Sequence, residues 1–154
     1  MDSFASVVFG TYPSWSHLVV RVVLGIIFFA HGAQKVFGWF GGPGLKGVIG
    51  YFKQALGVPA PLAALAAFTE CFGGLAMIVG FLVRPAALGL IAVMLVAVAK
   101  VHARNGLFLN MQNTPGKGHG YEFNLALAAM AASILIGGAG IFSIDGAIVP
   151  LGGK

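Results

Sequence analysis

Between His17 and Phe37 the chain reads HLVVRVVLGIIFFAHGAQKVF. Crossing the ~30 Å hydrocarbon core of a bilayer as a helix takes ~20 predominantly apolar residues, and this stretch supplies them. Its apolar residues run on without alternating, which is the pattern of a helix and not of a barrel strand. Arg21 interrupts the run near its start, and His31, Gln34 and Lys35 interrupt it near its end. The segment therefore predicts a transmembrane helix with polar groups near both faces.

Three more windows behave alike. Spans are expected at about 17–37, 61–83, 85–102 and 122–144. The fold class expected is all-α: a polytopic membrane protein, one four-transmembrane-helix bundle forming a single domain over 1–154. Turn residues support these limits. Gly41-Gly42-Pro43-Gly44 breaks the chain after the first span, and Val58-Pro59-Ala60-Pro61 starts the second with proline near its first turn. Arg84-Pro85 makes a tight connection, and Asn113-Thr114-Pro115-Gly116 interrupts the last long loop. Ahead of Arg21 there is no Lys or Arg, only Asp2, and no small-residue cleavage site follows the apolar run. The first span is thus expected to be retained and not removed as a signal peptide.

Composition agrees. Of 154 residues 58% are hydrophobic and 8% charged, against ~25% charged in ordinary soluble domains. The mean hydropathy is +0.94. A net charge of +5 with scattered basic residues excludes a nucleic-acid reader. Cys71, the single cysteine, excludes an intramolecular disulfide or a CxxC pair and reads as a small buried apolar residue. The expected partner is the lipid bilayer.

Orientation follows from the cations. Lys35, Lys46, Lys53, Lys100, Arg104 and Lys117 belong to the first and third loops, whereas Arg21, Arg84 and Lys154 belong to the terminal face. Positive residues favour the cytoplasm, so both termini are expected outside. Trp15, Trp39, Phe40 and Tyr51 fit interfacial belts.

Ionisable groups inside a span cost ~2.5–3.5 kcal/mol near its centre and usually face the protein interior. Sorted by depth, those of this chain form two sets. On the loop side His31 and Lys35 lie four residues apart on one helical face. Glu70 lies ~13 Å into the second span at 1.5 Å per residue, near mid-membrane. His102 closes the third span and Glu122 begins the fourth. Ala63, Ala66, Ala67, Glu70, Gly73, Gly74 and Met77 share a face, and such small residues permit close helix packing. Glu70 is therefore expected to point inward, protonated if alone and ionised if paired with His31 or Lys35. On the terminal face Arg21 is expected to snorkel, and an Arg–Asp pair drawn from Arg84 and Asp145 to staple helix ends. Haem or a metal at His31 and His102 is disfavoured, because His102 lies at a span end whereas four-helix cytochromes offer ligands well inside; no metal site is expected. His17 and His119 read as interfacial. The third loop, Asn105 to Gly120, is unusually apolar, with Leu107, Phe108, Leu109 and Met111, and is expected to lie on the membrane or cover the bundle end.

Arg21-x-x-Leu24-Gly25 and Phe29-Ala30-His31-Gly32-Ala33-Gln34-Lys35-Val36-Phe37-Gly38 resemble the opening of the DoxX family of small bacterial membrane proteins. Glu70-x-x-Gly73-Gly74, Arg84-Pro85-Ala86-Ala87, Met94, His102, Tyr121-Glu122 and Gly138-x-Gly140-x-x-Ser143-x-Asp145 extend the resemblance over about 17–146. It implies a bacterial inner-membrane protein related to the membrane subunit of thiosulfate:quinone oxidoreductase. No soluble DoxA-like domain is present, so thiosulfate oxidation by this chain alone is not expected. The expected function is a redox-linked subunit whose cofactor is a quinone or similar lipophilic ligand. Glu70, His31 and Lys35 would transfer protons or polarise the ligand, and Gln34, Met94, His102 and Glu122 would help bind it. Two alternatives stand beside it. One is a membrane anchor whose first and third loops hold a soluble redox partner. The other is a small proton-linked transporter, which with four helices requires a homo-oligomer.

Overall fold

The computed structural model describes residues 3–149; Asp2 and Lys154 lie outside the described residues. These are all-helical: α1 (Ser3–Phe9), α2 (Trp15–Val36), α3 (Gly44–Leu56), α4 (Ala60–Val79), α5 (Val83–Ala97), α6 (Glu122–Gly137) and α7 (Ile144–Ile148). A π-turn over Val98–His102 and a 3₁₀ turn over Ala103–Asn105 prolong α5. Among the described residues three helices are long and apolar enough to cross a membrane, Trp15–Val36, Ala60–Val79 and Val83–Asn105.

The first span starts two residues earlier than its apolar run because Ser14 caps it, its hydroxyl accepting from His17 N at 3.2 Å. The second stops at Val79 and not at residue 83. Gly80 there takes the left-handed conformation, φ +72°, with Ser143 and Arg21 so close that a Cβ would have no room. The window at 122–144 needs the largest correction. Its helix ends at Gly137, since Gly138 at φ +79° ends it and the chain turns back into α7. Sixteen residues reach about 24 Å, short of the hydrocarbon thickness. The first loop contains α3, which presents Lys46 and Lys53 to the exterior and buries Val48. Gly44, Gly47 and Gly50 weaken its intrinsic helicity; packing against α4 and α2 restores it.

The core joins Leu24 and Phe28 of α2, Met77 of α4, Leu90 and Met94 of α5, and Leu127 and Ile134 of α6. α2 and α4 cross closest. A Cβ on Gly32 would lie 2.2 Å from Cys71 N, and one on Gly74 would lie 2.3 Å from Phe29 N. Only hydrogen fits at either point, and the two contacts fix an antiparallel register. Lys35 lies one turn beyond Gly32 on α2 and Glu70 lies next to Cys71 on α4, so this close crossing sets the position of the site.

Candidate functional site

α4 and α6 each pack against both α2 and α5, and a cavity of about 480 Å³ lies between the four helices on the loop side. Its walls are mainly apolar, built from Ile27 and Phe28, Met94 and Ala97, and Phe123 and Leu127. Leu109, His119 and Gly120 of the third loop also line it, so that loop covers the bundle end.

Lys35 and Glu70 meet in this wall. Both carboxylate oxygens of Glu70 accept from Lys35 Nζ at 2.5 Å. The Glu70 side chain is 4% exposed and that of Lys35 27%. Of the two partners expected for Glu70, the structure pairs it with Lys35. A carboxylate this deep is tolerable because the ammonium stands beside it. The ammonium can also donate to a carbonyl, and the carboxylate can accept from a hydroxyl.

His31 lines the cavity and is exposed. His102 and Met94 line it too. Carbonyls only accept, so the 2.9 Å contact of His102 Nδ1 with His119 O puts the proton on Nδ1 and leaves Nε2 as acceptor in the neutral ring. His119 Nδ1 accepts from Asn110 N at 3.2 Å. The structure thus gathers His31, Lys35, Glu70, Met94 and His102 around one cavity.

Gln34 and Glu122 do not line it. Gln34 Nε2 donates to Phe40 O at 3.5 Å and braces the bend after α2. Glu122 Oε1 accepts from Leu109 N at 2.7 Å and ties the third loop to the start of α6. Two polar residues that sequence reasoning passed over do line it, His119 and Asn124. Asn124 carries no charge inside the apolar run EFNLALAAM, and hydropathy scarcely registers it.

The terminal face differs from expectation in its mechanism. Arg21 does not snorkel; it is 1% exposed. Its guanidinium donates to Met77 O and Ile78 O at 2.8 and 2.7 Å, to Ala139 O at 2.8 Å, and to Ile141 O and Phe142 O. Met77 and Ile78 lie in the last turn of α4, where carbonyls lack helical partners and the dipole is negative. Asp145 performs the converse task, accepting from Leu82 N at 2.9 Å and Val83 N at 3.0 Å at the start of α5. Arg84 donates to Val7 O and Ile136 O. The staple therefore joins side chains to backbone instead of Arg to Asp. Burial pushes the Asp145 carboxyl above its ordinary range, outweighing the hydrogen bonds from Val83 and Leu82 and the charges of Arg21 and Arg84.

Comparison with known families gives one match: the DoxX family model covers residues 16–103, more than half of the chain. It runs from the second residue of α2 through the π-turn that prolongs α5, and takes in His31, Lys35, Glu70, Met94 and His102. Tyr121-Glu122 and the Gly138–Asp145 segment lie beyond it. No curated protein and no solved structure matches the chain.

Proposed function

The chain belongs to the DoxX family, and from that premise we propose that its loop-side cavity binds a quinone or a similar lipophilic ligand as part of a redox-linked membrane subunit. One observation carries the reading: a Lys35–Glu70 ion pair stands in the wall of an otherwise apolar cavity of about 480 Å³. Small-molecule sites occupy ~300–1,000 Å³ and combine apolar walls with few convergent polar groups. In this reading α6 serves as a short fourth span completing a four-helix bundle in the bacterial inner membrane. The first and third loops face the cytoplasm and both termini the outside. In this reading the protein is related to the membrane subunit of thiosulfate:quinone oxidoreductase.

The ligand's polar head lies against Lys35 and Glu70, with His31 beside them. Reduction of a quinone takes two electrons, which a soluble oxidoreductase would supply, and two protons. The Lys35 ammonium stabilises the developing negative charge on the ligand oxygen, and Glu70 and His31 exchange protons with it. His102, through its free Nε2, links the cavity to the loop side. The test is binding of a short-chain benzoquinone to purified protein. Glu70→Gln and His31→Ala should each weaken it at least several-fold; unchanged binding in both would overturn the reading.

A second reading rests on a separate observation. Phe108 and Met111 of the third loop are exposed, Met111 by 83%, and the exposed cations Lys100, Arg104 and Lys117 flank them in sequence. Apolar side chains rimmed by charge suit the docking of a soluble oxidoreductase. Exchanging residues 107–118 for a neutral Gly/Ser linker should abolish co-purification of such a partner, while Glu70→Gln should leave it intact.

A further inference from the structure

Asn124 is 8% exposed and lines the cavity. Its one hydrogen bond among the described residues runs from Nδ2 to Met94 Sδ at 3.4 Å, and a thioether is a weak acceptor. The carbonyl oxygen and the second amide hydrogen remain without a partner. Buried amides are ordinarily satisfied. Asn124 stands in the first turn of α6, where a side chain can serve a helix end by reaching back to the backbone; no such bond is made. Its neighbours in the wall, Phe123 and Leu127, are apolar, so local structure gives the amide no task.

The position of that amide is informative. Because α4 and α6 each pack against α2 and α5, they stand diagonally across the core. Glu70 and Asn124 thus face the cavity from opposite walls, one charged pole and one neutral pole. We infer that Asn124 is the second hydrogen-bonding pole of the ligand site, and that the site selects a lipophilic ring bearing oxygen functions at two ends. The inference rests on the ligand-binding reading above and narrows its substrate class.

An amide suits this place because it donates to a carbonyl through Nδ2 and accepts from a hydroxyl through Oδ1 without changing charge. The Lys35–Glu70 pair offers the same choice at the other end. A ring held between them can therefore be kept in its dicarbonyl or its dihydroxy form. Met94 takes one amide hydrogen and keeps the group turned toward the cavity.

The experiment compares two probes on detergent-purified protein: a decyl-substituted benzoquinone, with two carbonyls, and a decyl phenol, with one hydroxyl. Asn124→Leu, close to isosteric, should weaken the benzoquinone about ten-fold or more and change the phenol less than two-fold, since one oxygen is satisfied at Lys35–Glu70. Asn124→Ala, which removes the amide without adding bulk, should discriminate likewise and covers the case in which leucine disturbs packing. Equal effects on both probes, or none on either, would overturn the inference. Glu70→Gln separates the two levels. If it weakens both probes while the Asn124 variants discriminate nothing, the second pole alone fails. If it weakens neither, the ligand site itself fails and the inference with it.

Discussion

Alanine at Gly32 and alanine at Gly50 are the same substitution in a helix interior, and the structure predicts opposite outcomes. At Gly32 the new Cβ would lie 2.2 Å from Cys71 N and 2.3 Å from Cys71 Cα, where ordinary contact begins near 3.4 Å. The obstructing atoms are backbone, so no rotamer change relieves them, and α2 and α4 must part by more than ~1 Å. Overpacking of this kind costs ~1–3 kcal/mol, and with rigid neighbours the upper half of that range applies. The gain in helix propensity returns ~1 kcal/mol. A net loss of ~1–2 kcal/mol remains, a fall of roughly 2–8 °C in Tm for a chain of this size. At Gly50, in α3, nothing lies within 4 Å of the added carbon. There the propensity gain of ~0.5–1 kcal/mol stands unopposed and Tm should rise by ~1–4 °C. Thermal unfolding in one detergent, followed by far-ultraviolet circular dichroism, measures both. Gly32 precedes Lys35 by one turn, so parting the helices also draws the ammonium from Glu70, and benzoquinone affinity should fall in Gly32→Ala alone. A Gly32→Ala protein that melts at or above the wild type would refute the claim that this crossing sets the site.

The Lys35–Glu70 pair should behave as a unit. Lys35→Met leaves a buried carboxylate unpaired and should destabilise by about 3 kcal/mol, the lower end of the range for broken buried pairs because Lys35 is partly exposed. Adding Glu70→Leu should recover most of that loss, and a double variant no more stable than Lys35→Met would contradict it. Arg21→Lys keeps the charge but loses the planar fork that reaches five carbonyls, so melting should drop by at least 5 °C, consistent with ~2 kcal/mol. For Asp145 the sign follows from its raised folded-state pKa. The native protein holds that proton more tightly than the unfolded chain, so its contribution to stability is full below the ordinary carboxylate value of ~3.9 and diminishes as pH rises through the raised one. Melting of the wild type relative to Asp145→Asn, scanned from about pH 3 to 7, should therefore decline with pH; a rising difference would reverse the assignment.

How much of this was legible beforehand depends on which residues carried the signal. The apolar run at 17–37 and the helical spacing of Ala63, Ala67, Glu70, Gly74 and Met77 sufficed to find α2, α4 and the inward direction of Glu70, because burial at these positions is local and periodic. The end of α6 was not legible from hydropathy. Ala139, Ile141 and Phe142 keep the window apolar after Gly138 has turned the backbone. α3 was hidden by its three glycines, which argue against a helix until Val48 finds a neighbour. Arg21 misled for a different reason. In isolation an arginine near a span end belongs in the headgroups, and only the fold reveals that α4 ends beside it with carbonyls to spare.

Arg21 and Asn124 together explain why function is assigned to one end of this protein and not to both. Each is a polar side chain buried among apolar ones, so burial alone does not separate them. Arg21 donates to five carbonyls, and Asp145 accepts from the two amides that begin α5. Their hydrogen-bonding capacity is committed to closing helix ends, and a ligand there would have to unfold a terminus to reach them. Asn124 keeps an oxygen and a hydrogen without partners, and Nε2 of His102 is free of the bond that fixes Nδ1. Unmatched polar groups destabilise a fold unless something completes them. The free groups of Asn124 and His102 line one apolar cavity beside the Lys35–Glu70 pair. His17 Nδ1 and Arg84 Nε of the terminal face, unpartnered among the described residues, are buried and line no such cavity. That difference is the physical reason to look for a ligand on the loop side.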